Sequence, residues 1–90
     1  MSFPSNPDDV TIVAEIQEWP PKKLATYLNS QSRANRFDTV GKWKAHCASD
    51  DCMFCVAVLA RLNALAFPMS DASENIYETV SRLTAFNPSN

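Results

Sequence analysis

Four side chains able to bind a soft metal or act as nucleophiles fall within one ten-residue stretch, His46-Cys47-Ala48-Ser49-Asp50-Asp51-Cys52-Met53-Phe54-Cys55. Zinc takes four nitrogen or sulfur donors in a tetrahedron, and His46, Cys47, Cys52 and Cys55 are of the right types and number. The spacing argues the other way. Cys-x4-Cys-x2-Cys matches no standard structural zinc site, and His46 and Cys47, as chain neighbours, cannot easily face one metal. On a helix Cys52 and Cys55 would share a face, with Asp50 or Asp51 as a further ligand. The pattern favours the plainer reading, in which free cysteines act as small buried hydrophobes leading into an apolar helix. On that reading no metal and no cofactor is assigned, and a zinc-stabilised helical module ranks third among the functions.

Nucleophilic catalysis needs a thiol activated by a base or a helix N-terminus. Cys52 is expected in the first turn after Ser49, where the helix dipole favours a thiolate, but Asp50 and Asp51 beside it oppose one. The single histidine, His46, is expected on another element. With one glycine, Gly41, the chain has no glycine-rich phosphate loop. Its carboxylates sit at helix caps or on solvated faces. No catalytic residue is assigned, and the chain reads as a non-enzyme.

Charge is distributed unevenly. The formal net charge is −2 over 90 residues, made up of −4 over residues 1–21, +5 over 22–46 and −3 over 47–90. The basic middle holds the candidate binding residues Lys22, Lys23, Arg33, Arg36, Lys42 and Lys44. Such a segment can meet phosphates or an acidic protein surface; it can equally be an ordinary solvated face paired with neighbouring acids. Within it, Leu24-Ala25-x-x-Leu28-Asn29 resembles the first helix and turn of a helix-turn-helix, with Asn29 at the left-handed position. A second helix over 31–37 would then offer Arg33 and Arg36 to a major groove. The resemblance stops there, because Ser30, Asn35 and Asp38 fall where that motif packs apolar residues.

The elements that must position these side chains read as helices. A single glycine leaves little for hairpin turns and bulges, while prolines and cap residues punctuate apolar runs at helical spacing. Asn6-Pro7-Asp8-Asp9 opens a helix over about 7–18, with Val10, Val13, Ile16 and Trp19 as its stripe and Ile12 beside them. Pro20-Pro21 ends it and starts a second, over about 21–29, burying Leu24, Tyr27 and Leu28. The stretch 30–37 reads as short helix or loop. Asp38 caps a third helix over 39–47, burying Val40, Trp43 and Cys47. A fourth, over about 50–67, is apolar all round apart from Arg61 and Asn63, which makes it the central helix. Residues 70–74 cap a fifth, on which Ile76, Val80 and Leu83 face inward.

The fold expected is all-α, a compact bundle of four to five short helices around that central helix. Its core comprises Val13, Ile16, Trp19, Leu24, Leu28, Trp43, Phe54, Val58, Leu59, Leu62, Leu65, Ile76, Val80 and Leu83. Residues 1–6 read as a flexible N-terminal segment, 7–86 as one helical domain and 87–90 as a tail. The 16-residue apolar stretch 52–67 is too short to span a bilayer, the N-terminus has no secretory pattern, and three clustered cysteines suit a reducing compartment. The expectation is therefore an intracellular protein, cytoplasmic or nuclear, that contacts no membrane. Its leading functional reading is a small interaction or regulatory protein that binds a partner protein. The alternative is a DNA- or RNA-binding protein that uses residues 22–46, with a homodimer as one way to double the basic surface.

Overall fold

The computed structural model describes residues 7–49, 52–69 and 71–87. Five helices follow one another: α1 (Pro7–Ile16), α2 (Pro21–Asn35), α3 (Val40–Ala48), α4 (Met53–Ala64) and α5 (Ile76–Ala85). Among the described residues there is no strand, and the β-type contact is an isolated antiparallel bridge between Thr39 and Asn75. The all-α globule expected from the sequence is the one observed. Its radius of gyration is 12.7 Å, close to the roughly 12 Å of a compact chain this long.

Proline sets the first boundary as expected. Pro21 sits in the first turn of α2, and extended Pro20 precedes it (φ −73°, ψ 161°). The helix then runs on through Asn29 to Asn35, so the ambiguous stretch is mostly helical. This overturns the helix-turn-helix resemblance: Asn29 is helix interior, and the left-handed residue is Arg36 (φ 58°). Arg36 and Phe37 both donate backbone N–H groups to the Ser32 carbonyl, which closes the helix end.

The starts of α3 and α5 lie side by side and satisfy each other's backbone. Val40 donates to the Glu74 carbonyl (3.0 Å) and Ile76 to the Asp38 carbonyl (3.0 Å). Gly41 donates to Ala72 O at 2.8 Å, and a Cβ at Gly41 would stand 3.0 Å from that oxygen. Glycine is needed at this position for close approach. The caps are one residue or more from where the sequence placed them. Thr39 rather than Asp38 caps α3, accepting from Lys42 N, while Asp38 pairs with the Lys42 ammonium at 2.9 Å. Asn75 caps α5, and Asp71 instead closes a turn by accepting from Ser73 N and Oγ.

The fourth helix is shorter than the 50–67 expected. Cys52 is its N-cap rather than a first-turn residue, and Leu65 and left-handed Ala66 (φ 58°) end it before Phe67. Asp50, Asp51 and the expected cap Asn6 lie outside the described residues. The helix packs α1 and α3 against itself, while α2 packs chiefly on α5. The core joins Ile16, Leu24, Leu28, Val40, Trp43, Val58, Leu62, Ile76 and Leu83 with Cys47, Cys55, Phe67 and Met69. Of the expected core, Trp19, Phe54, Leu59, Leu65 and Val80 are half-buried and packed against it, and Val13 is half-buried. Among the described side chains of α1 only Ile16 is fully buried; Val10 is 51% exposed, so its stripe is only partly covered. The charge inside the apolar run has a partner: Arg61 Nε donates to the Trp19 carbonyl at 3.1 Å, tying the α1–α2 turn to α4.

Candidate functional site

The end of α3 brings His46 and Cys47 to the start of α4, where Cys52 and Cys55 stand one turn apart. One nitrogen of His46 and the sulfurs of Cys52 and Cys55 all lie within 4.8 Å of one another. The adjacency of His46 and Cys47 was one of the two objections to a metal here, and this trio does without Cys47. Cys47 is itself buried beside Cys55. All three cysteines are free thiols.

Local geometry explains the positions. The Cys52 sulfur accepts from Cys55 N at 3.4 Å, performing the N-cap role that a serine or aspartate oxygen usually takes. Helix spacing then returns Cys55 to the same side, facing inward and fully buried. His46, in the last turn of α3, is half-buried, with its ring centroid 5.2 Å from that of Phe37 and the two rings tilted by 50°. Its Nε2 is buried with no hydrogen-bond partner.

A third helix contributes what the sequence did not signal. The Tyr27 hydroxyl, from α2, lies 3.2 Å from Cys55 Sγ and 3.8 Å from Cys52 Sγ. Gln31 Oε1, one turn further on, is 3.9 Å from Cys55 Sγ. Both residues precede the cysteines by more than twenty positions, and neither has a motif to mark it.

These neighbours polarise the thiols. Hydrogen bonding from Cys47 is the largest influence lowering Cys55 to about 5; burial opposes it, and Tyr27 and Cys52 add to it. Cys47 is pushed up, first by that same hydrogen bond and then by burial. Tyr27 is pushed up by burial first and by its contact with Cys55 second. Cys47, Cys52, Cys55 and the Tyr27 hydroxyl thus form one hydrogen-bonded cluster, in which Cys55 is drawn down while Cys47 and Tyr27 are pushed up.

The six candidate binding residues divide between α2 with its C-cap and α3. Lys22, Lys23 and Arg33 are exposed on α2, and Arg36 is exposed at its C-cap. Lys23 lies over the Trp19 ring at 4.8 Å and Arg33 over the Tyr77 ring at 5.9 Å. Lys42 pairs with Asp38, and Lys44 Nζ donates to the Met69 carbonyl at 2.8 Å, which engages it in the fold. No helix among the described residues is long and apolar enough to cross a membrane. Compared with family models, with curated proteins and with solved structures, the chain matches none of them.

Proposed function

We propose that the chain is a non-enzymatic interaction protein whose α2 outer face binds an acidic surface on a partner protein. The observation that carries this reading is the composition of that face. Lys22, Lys23, Thr26, Ser30, Arg33 and Ala34 are the exposed residues along it, and at about 100° per residue they fall on one arc of roughly 120°. Arg36 extends it at the helix end. Four cations thus share a face on a helix with no acidic residue of its own. The aromatic rings under Lys23 and Arg33 limit the freedom of those side chains, which lowers the entropic cost of binding.

Acidic protein surfaces suit this face better than a long polyanion, because residues 1–21 and 47–90 carry net charges of −4 and −3. Duplex nucleic acid is the competing ligand, and one variant separates the two. Arg33→Ala with Arg36→Ala should slow association with an acidic polypeptide probe by about tenfold at low salt, with a smaller effect on dissociation. Four phosphate contacts on duplex DNA would give a log–log salt slope of about −4, falling to about −2 in the double variant. Micromolar binding to duplex DNA or RNA at physiological salt with that loss of slope would replace the protein partner by nucleic acid. An unchanged association rate with the acidic probe would remove the α2 face altogether.

A further inference from the structure

We propose that His46, Cys52 and Cys55 form a binding site for a zinc-type divalent cation where the last turn of α3 meets the cap of α4. The site does not rest on the α2 docking face, and either can fail without the other. With bonds of about 2.3 Å to sulfur and 2.0–2.1 Å to nitrogen, a tetrahedral zinc separates its donors by about 3.5–3.8 Å. The three donors already lie within 4.8 Å of one another, so closing on a cation requires movements of about 1 Å or less. Their softness selects zinc or a similar transition ion over magnesium or calcium.

Three further observations fit a ligand at this place. His46 Nε2 is buried without a hydrogen-bond partner, and a buried polar atom with no partner calls for one. Tyr27 reaches both sulfurs through its hydroxyl, the arrangement by which second-layer donors orient and stabilise metal thiolates. The Cys55 backbone N–H points at the Cys52 sulfur at 3.4 Å and would stabilise its thiolate. Charge also balances. Two thiolates and a neutral imidazole around a divalent cation make a neutral centre, which tolerates burial far better than an unpaired charge. Loading transfers thiol protons to solvent as the sulfur–metal bonds form. Half-buried Cys52 and His46 leave the cation a way in from the surface. The fourth coordination position falls to a donor outside the trio.

The test uses the full chain, reduced and stripped with a chelator, then titrated with zinc against a chromophoric competitor and with cobalt(II). The expected result is one equivalent of zinc bound with a Kd of about 1 µM or tighter, and a melting temperature that rises with free zinc. Cobalt should show intense tetrahedral d–d bands and a sulfur-to-metal charge-transfer band, which Cys52→Ser should weaken. His46→Gln should retain its helical circular dichroism yet lose zinc affinity by about tenfold or more, which keeps the test decisive if a cysteine variant fails to fold. No zinc uptake at about 100 µM by the folded chain, a six-coordinate cobalt spectrum, or binding indifferent to His46→Gln would each overturn the site.

Discussion

At the end of α4, Ala66 holds a φ of 58° that L-residues other than glycine avoid. Its N–H donates to the Asn63 carbonyl and that of Phe67 to the Leu62 carbonyl, so this backbone closes the helix and turns Phe67 into the core. The Ala66 side chain is exposed, and removing its methyl forfeits no core packing. Ala66→Gly should therefore stabilise the fold by about 0.5–1 kcal/mol: relief of left-handed strain exceeds the added freedom of the unfolded chain. Urea denaturation would read this as a higher midpoint at unchanged slope, and a lower midpoint would show that the strain is relieved elsewhere. Neither this position nor Arg36 was legible in the sequence. The usual signal for a left-handed helix end is glycine, and the chain's single glycine serves instead where α3 approaches Ala72.

Among elements, a single side chain makes several bonds to the segment between α4 and α5. Arg82 bonds Glu74 through two nitrogens, at 2.6 and 2.9 Å, donates to the Pro68 carbonyl at 3.1 Å, and lies 4.9 Å from the Phe67 ring centroid. Hydrogen bonding from Arg82 holds the Glu74 carboxyl below its ordinary value. A carboxyl whose pKa is lower when folded than unfolded adds stability that is present above the unfolded value, about 4.3, and lost as pH falls through the folded one. Glu74→Gln should cost about 1 kcal/mol at pH 7, a figure already reduced for the partly exposed pair. The gap to the parent should close on acidification below about pH 4. Asp38 and Asp71 are lowered in the same direction, so the difference between the two proteins, not the parent curve alone, isolates Glu74. A gap that persists at about pH 2 would assign the loss to packing instead.

At the scale of the molecule, the core depends on a few fully buried residues contributed by all five helices. Leu62 on α4 is one of them, at 0% exposure. Leu62→Ala should cost about 2–5 kcal/mol through lost burial and the cavity left behind, against a total of roughly 5–15 kcal/mol for a domain. Thermal unfolding followed by circular dichroism should show a large drop in midpoint, and a shift within error would place this face of α4 outside the core. With α1 and α3 packed on it, α4 organises one half of the core, while the α2–α5 pairing forms the other.

Sequence alone determined the elements, because prolines and apolar spacing act over a few residues. Pro20-Pro21 separates α1 from α2 whatever surrounds it, and Ile76, with Leu83 one hydrophobic repeat later, faces inward for the same local reason. The clustering of His46 with Cys52 and Cys55 was half legible, since all lie within ten residues. Tertiary structure decided the rest. It chose Thr39 and Asn75 over Asp38 and the 70–74 segment as caps, because two helix starts exchange backbone hydrogen bonds across the chain. It continued α2 through Asn29, where packing against α5 outweighs the weak helix propensity of Asn and Ser. It also set Tyr27 against Cys55, twenty-eight residues away. That contact joins two helices, and no spacing along the chain encodes it.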